Sequence, residues 1–539
     1  MASESFTFEH FYYGQLADSE DFRTLATSPG VTDEQVEEIA RAALIPALAD
    51  APTASWALVR GKKAVQFVLA QAQTSDARQT LHYIIMPTDA LRGIGGNLKA
   101  LLALVENPLP TFTQAGGKLP TLTFAQPEAL NSETQIDDIL ALMDYVKNRL
   151  DLVETLLAAI VQGVPIVIQG APPELETRVR FVSGLLALLP PSARFGVTFA
   201  THTVEGTSVD TQIRFYAGEK LSRETLVYSW TRGKLGGKTV EDDYSRFIIS
   251  QLRLDAELVI QQTRRLTAVA RWRINRGDSL AQALAYASYR LKLDDALNTN
   301  QPVEAAEVSR VLAEDPTLTD DLKIAYTRHL LAFALALGDM SHADPIALML
   351  RQQPDLELAL QKQFNDAISE GKAGLVYDTC ARWLANPLGP VGMKWVELTH
   401  RAALAHTEAL VKSRDIKALN SFMEGVQRAE PGVQINRVVP KLIETALPLT
   451  VLDGDLNTTV FLLAVNYLEG DLLRRILSSQ RFAMQLPASF ARLVPYLTGE
   501  DPGLSPNGIL MGASTAFGDT WRDLMLIRMA ELAVRGNRP

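Results

Sequence analysis

The sequence predicts an α+β N-terminal part, two small mixed α/β units, followed by a long all-α C-terminal half that forms an irregular α-solenoid or helical bundle. Three observations carry this expectation. The chain has 539 residues, and single cores stop growing at roughly 250–300 residues. Residues 152–203 run helix, short apolar strand, amphipathic helix and strand in quick succession, the signature of an α/β layer. Beyond about Val240 strand signals nearly vanish, and alanine- and leucine-rich helical patterns run to the end. The boundaries follow: an N-terminal mixed α/β domain over 1–130, a middle α/β domain over 131–238, and an all-α region over 239–539.

Phe6–Tyr13 alternates aromatic and polar residues and predicts a strand. Ser28-Pro29-Gly30 makes a turn, in which proline fixes one dihedral and glycine permits a positive one. Thr32 with Gln35 three residues later gives a capping box for a helix whose apolar face is Val36, Ile39, Ala43 and Leu44. Trp56–Arg60, Ala64–Ala70 and Thr80–Ile85 read as strands, Ala90–Glu106 as a helix, and Pro108–Pro120 as a loop-rich boundary. In the second unit, Ile136–Tyr145 and Leu150–Val161 read as helices and Pro165–Ile168 as a buried strand. Pro172-Pro173-Glu174 opens a helix that Pro190-Pro191 stops. Gly196–Ala200, Gln212–Tyr216 and Leu226–Trp230 are further strands, with Phe195, Val197 and Phe199 as core positions. The helical half is broken at Asn275–Asp278, Asn298–Pro302, Pro316–Thr319, Leu337–Asp344, Asn386–Pro390 and Glu430–Gly432.

Composition narrows the function classes. A formal net charge of −10 argues against broad nucleic-acid or anionic-membrane binding. The single cysteine, Cys380, excludes an intramolecular disulfide framework and a cysteine metal cluster, and reads as a buried small hydrophobe. The N-terminus has no basic segment followed by an apolar run, and no stretch reaches the roughly 18 apolar residues of a span. A cytoplasmic location is expected.

Candidate sites are few. No Ser-His-Asp or Cys-His set is apparent, and no two of the seven histidines sit three or four apart on a helix. The stretch Leu226–Leu252 mimics a phosphate loop, ending in Gly237-Lys238-Thr239. Only three residues separate Gly233 from Gly237, and Glu241, Asp242 and Asp243 put negative charge where a phosphate would rest. A connecting loop is the simpler reading, although Arg232, Lys234 and Lys238 on an exposed flexible loop could insert into a partner, as an arginine supplied in trans does at a GTPase. A second cluster, Arg264, Arg265, Arg271, Arg273 and Arg276 around Trp272, reverses the sign of an acidic chain. It suits an acidic partner or phosphate groups with Trp272 as anchor. The simpler reading is a helix C-terminus, which favours cations. The paired acids Asp294-Asp295 and Asp320-Asp321 read as solvated or capping groups at helix boundaries. Asp453 and Asp455 only loosely resemble a magnesium-binding strand end. No cofactor or metal is expected.

Two motifs carry a family resemblance. The first is Phe11–Ile39, an aromatic strand followed by Leu-Ala-x-Ser-Pro-Gly and a helix; the second is Ala187–Thr201, ALLPPSARFGVTFAT. In this order, with a helical C-terminal part, they resemble the bacterial GTPase-associated proteins of N-terminal, middle and C-terminal domain organisation. A fainter fold-level likeness is to longin and DENN modules. The resemblance implies a non-enzymatic adaptor or regulator working beside a GTPase in a bacterial signalling or conflict system, and brings no catalytic set. The partners it implies are a GTPase and other proteins, with nucleic acid, membrane and small molecules not expected. The alternative is a nucleotide-independent scaffold of a multiprotein assembly.

Overall fold

The alternating aromatic stretch at the start of the chain forms β1 (Ser5–Gln15), paired antiparallel with β2 (Phe22–Thr27). The structure, a computed structural model, describes residues 5–428 apart from 17–18, 48–53, 61–65, 76–77, 106–107, 126–129, 208, 220, 300, 339–343 and 351–353, together with Asp523. It divides into two compact units, Met1–Asp295 and Ala296–Pro539.

In the first unit, α1 (Asp33–Ala42) starts at Thr32, whose side chain and Gln35 form the expected capping box. The antiparallel strands β3 (Ser55–Arg60), β4 (Gln66–Ser75) and β5 (Arg78–Pro87) follow. Next come the short helices α2 (Thr88–Ile94) and α3 (Leu98–Leu102), then β6 (Gly117–Lys118) and β7 (Leu122–Ala125). Helices α4 (Ser132–Tyr145) and α5 (Leu150–Val161) lead to β8 (Ile166–Gln169), α6 (Leu175–Ala187) and α7 (Pro191–Arg194). The strands β9 (Phe199–Thr203), β10 (Ile213–Tyr216), β11 (Leu226–Ser229) and β12 (Lys234–Gly237) complete the sheet, and α8 (Asp243–Leu252), α9 (Ala256–Asn275) and α10 (Leu280–Asn298) follow.

The twelve strands join in one mixed sheet of order β12-β11-β8-β10-β9-β3-β4-β5-β1-β2-β6, with β7 on the first half of β1. Strands on either side of residue 130 meet where β3 pairs antiparallel with β9, Ala57 opposite Ala200 and Leu58 opposite Phe199. The central strands are buried on both faces, which explains their near-continuous apolar runs. Along β5, Leu81 and Tyr83 pack with Val36 of α1 and Phe11, while Ile84 and Met86 face the opposite core. That second core gathers Leu156 and Ile160 of α5, Phe181 and Leu185 of α6, and Val259 and Leu266 of α9. Helices α4 and α6 cross so closely at Gly184 that a Cβ there would lie 2.5 Å from the Asp138 carbonyl oxygen.

Several expectations need correction. Leu44 is 42% exposed rather than on the inner face of α1, where Val36 and Ala43 are buried as expected together with Ala40, because the helix ends at Ala42 and its 3.6 period stops with it. Ala90–Glu106 is two short helices, since Gly95 and Gly96 take positive φ between them. The sequence gives no strand at Phe22–Thr27, where β2 forms; pairing with β1 supplies what local propensity lacks. Asp294 lies inside α10, not at a boundary, and makes a buried ion pair with Arg290 at 2.9 Å. Gly30 is absent from the positive-φ residues. Its need is space, because a Cβ would meet the Glu9 carboxylate at 2.5 Å.

The second unit is helical throughout its described residues: α11 (Ala305–Glu314), α12 (Asp320–Leu337), α13 (Asp344–Met349), α14 (Pro354–Ser369), α15 (Ala373–Ala385), α16 (Met393–Ser413) and α17 (Ile416–Arg428). Trp383, Trp395 and Phe364 meet edge-on, with the Trp395 Nε1–H donating to Glu357 Oε1 at 2.6 Å. Cys380 is fully buried, and burial pushes its thiol up to about 12. It is therefore expected to resist a thiol-specific reagent in the native protein and to react only after denaturation; rapid native labelling would contradict this packing. The expected break at Glu430–Gly432 and the acids Asp453 and Asp455 lie outside the described residues.

Candidate functional site

Helix α9 carries most of the candidate residues. Asp255 caps it by accepting from the Glu257 N–H at 2.9 Å. Its buried face is Ala256, Val259, Ile260, Thr263, Leu266, Val269 and Ala270. Helical periodicity then sorts the arginines. Arg264 and Arg271, seven residues apart, lie on the outward face; both are exposed and neither has an ion pair among the described residues. Arg265 pairs with Asp295 at 2.9 Å.

Arg273 follows Leu266, Val269 and Ala270 at helical spacing, so it belongs to the inner side. It pairs with Asp278 and lies over the rings of Tyr286 at 4.6 Å and Trp272 at 5.5 Å. Trp272 is half-buried, edge-on to Tyr286, with Arg276 stacked at 5.3 Å. This aromatic box closes the α9–α10 turn and leaves Trp272 half-buried. The expected cluster thus divides into Arg264 and Arg271, exposed without ion pairs among the described residues, Arg265, exposed and paired with Asp295, and Arg273 and Arg276, stacked on Trp272.

Arg271 meets residues that the sequence reading left out. With Arg92, Gly93, Pro191, Ser192, Phe195, Ile274 and Asn275 it lines a cleft of about 330 Å³. Arg92 comes from α2 and stacks over Phe195 at 5.0 Å, while pairing with Asp89 at 3.2 Å. Phe195 reads as a strand-core position in the sequence; here it ends α7, half-exposed. Its neighbour Arg194 explains this placement. The buried Arg194 guanidinium donates to the Leu189 carbonyl at 2.9 Å and to Gln135 Oε1 at 2.8 Å. Burial lowers its pKa to about 10. Pinned in this way, α7 turns the next side chain outward, and the Ser192 hydroxyl ties the same turn to the Thr267 carbonyl of α9 at 2.9 Å. The sequence carried no signal for this: a buried arginine leaves no mark on apolar periodicity.

The basic stretch 232–238 is a paired hairpin, not a flexible loop. Strand β12 pairs antiparallel with β11, Tyr228 opposite Leu235, through a turn at Trp230–Gly233. Glycine is a poor strand former, so Gly236-Gly237 points to a loop until the pairing partner is known. Lys238 pairs with Glu224 at 2.8 Å; Arg232 and Lys234 are exposed without ion pairs among the described residues. Asp242 caps α8, accepting from the Ser245 N–H at 2.9 Å, so the acids occupy the helix start. Gly237 has φ +77°, and a Cβ there would press on the Thr225 carbonyl oxygen. Gly237→Ala is expected to destabilise this hairpin by about 1–3 kcal/mol, seen as faster amide exchange in β11 and β12; unchanged exchange would contradict the pairing.

Two histidines far apart in sequence meet beside β1. His10 Nε2 lies 2.8 Å from the Pro120 carbonyl oxygen, which only accepts, so Nε2 carries the proton. A neutral His10 then accepts at Nδ1 from His82 Nε2 at 2.9 Å. His82 Nδ1 is left as a buried acceptor without a partner. The His10 backbone N–H donates to Ser28 Oγ at 2.8 Å, and the Ser28 hydroxyl donates to Glu9. Ser28 of the Ser-Pro-Gly motif therefore works as a buried latch on β1. Among the described residues, no group of three or more His, Cys, Asp and Glu side chains is placed to hold a metal ion. No helix among them is long and apolar enough to cross a membrane. Comparison with known proteins found no matching family model and no matching curated protein.

Proposed function

We propose that this chain is a GTPase-associated adaptor or regulator that acts through protein–protein contacts, in the cytoplasm, as its family resemblance implies. The observation that most supports this is the outward face of α9. In a chain of net charge −10, Arg264 and Arg271 stand exposed without ion pairs among the described residues. An exposed, unneutralised cation pair beside an apolar cleft suits recognition of an acidic protein surface, where charge sets approach and the apolar centre sets affinity.

The second unit fits the same role. Helices adjacent in sequence, α11 with α12, α14 with α15, α15 with α16 and α16 with α17, pack on one another. Such stacking is the basis of an irregular α-solenoid, an architecture that offers extended surface to partners. The hairpin cations Arg232 and Lys234 are a second contact candidate in this reading.

Affinity capture with the full chain tests it, run in parallel with GDP and with a non-hydrolysable GTP analogue. A GTPase retained in one nucleotide state, and lost with Arg264→Glu/Arg271→Glu, is the expected result. A GTPase retained equally in both states moves the function to nucleotide-independent scaffold. Absence of any GTPase among the partners overturns the reading.

A further inference from the structure

We propose that the cleft between α2, α7 and α9 docks an acidic linear peptide of a partner protein, an apolar side chain seating on Phe195 and Ile274 and an adjacent carboxylate reaching Arg92 and Arg271. This rests on the reading that the chain acts through protein contacts, and adds the chemistry of what it recognises.

Four observations converge on that occupant. The first is charge. Arg271 has no ion pair among the described residues, and Arg92 pairs only with Asp89, whose side chain is 88% exposed. A surface pair of that kind is worth about 0–1 kcal/mol, so an incoming carboxylate competes with it. The second is the floor. Phe195, Pro191 and Ile274 are apolar and half-buried, and Arg92 already lies flat over Phe195 at 5.0 Å. A side chain entering there packs beside ring and guanidinium together, a setting that rewards aliphatic and aromatic groups.

The third is size. About 330 Å³ is at the small end of ligand pockets, which run from roughly 300 to 1,000 Å³. It accommodates one or two side chains in preference to a nucleotide or a cofactor. The fourth is rigidity. Arg194 is pinned by the Leu189 carbonyl and Gln135, and Ser192 by Thr267, so the walls are set before a ligand arrives and little ordering entropy is lost on binding. A long polyanion such as nucleic acid is disfavoured by the acidic remainder of the chain. A short acidic segment meets only the local field.

The test is selection of random heptapeptides against the full-length protein, then fluorescence anisotropy with the selected peptides. Enrichment of Asp and Glu flanking an aliphatic or aromatic residue is expected. Affinity should fall about tenfold or more in Arg92→Glu/Arg271→Glu, fall with added salt, and stay unchanged in Lys394→Glu, an exposed cation at the start of α16. Both cleft arginines are exposed, so the melting temperature of the double variant should match the parent, which separates lost binding from lost fold. Peptides in which the acids are replaced by lysine should bind the double variant better than the parent. Selection without acidic enrichment, or binding indifferent to both cleft substitutions, overturns the proposal. If a GTPase is still captured by Arg92→Glu/Arg271→Glu, the adaptor reading stands and this docking site falls. If acidic peptides bind the cleft and no GTPase is captured, the site stands and the adaptor reading falls.

Discussion

Gly184→Ala is expected to lower the stability of the first unit by about 2 kcal/mol, read as a drop of several degrees in its melting transition. Two effects oppose each other. Alanine is the better helix former by about 1 kcal/mol. The new methyl, however, would sit 2.5 Å from the Asp138 carbonyl oxygen and 2.6 Å from Leu142 Cβ, and α4 cannot yield there without disturbing its own hydrogen bonds. Overpacking of that kind costs about 1–3 kcal/mol, and contact with backbone places it at the upper end. The control has the opposite sign. Gly425 lies within α17 with nothing within 4 Å of a built Cβ, so Gly425→Ala should stabilise its helix by up to about 1 kcal/mol. A Gly184→Ala protein as stable as the parent would mean that α4 and α6 do not cross at this point.

Acidification should destabilise the first unit through His82. Burial, with His10 adding to it, pulls its imidazole down to about 3, whereas the unfolded chain takes up that proton near its ordinary value of about 6.5. Between those values the unfolded state binds more protons than the folded one. Stability is therefore full above pH about 6.5 and falls as pH drops through the window, at about 1.4 kcal/mol per pH unit. The geometry gives the same direction. A second proton on His82 would sit at Nδ1, which is buried with no hydrogen-bond partner. Chemical denaturation of the parent and His82→Phe at a series of pH values isolates this contribution, since other groups titrate in both. The parent should show the steeper loss between pH 6 and 4 by roughly one proton. Equal slopes would mean that His82 is protonated in the folded state.

Parts of the fold were legible because their signals are local. The capping box at Thr32 and Gln35, the apolar run of α5 and the helix stop at Leu189-Pro190-Pro191 depend on neighbours a turn away, and they form where expected. The doubly buried β4 and β5 were visible as strands, although β4 runs on past Ala70 through polar residues such as the buried Gln71. Strand β12 was misread because glycine gives the same local signal in a loop and at a strand edge.

The candidate site was half legible. Sequence alone located Arg264 and Arg271 as a sign reversal in an acidic chain, and the period of α9 already separates them from Arg273 on the inner side. It could not supply Arg92 or Phe195. Those two reach the cleft through α2 and α7, about 100 residues apart in the chain, by way of a buried guanidinium bound to carbonyl oxygens. What the sequence by itself determined is the class of each long element, its caps and its apolar face, since these follow from contacts within one or two turns. Only the tertiary structure decided that β3 joins β9, that His10 meets His82, and that two arginines flank one ring. Those outcomes depend on which distant surfaces bury each other, and local periodicity does not encode that pairing.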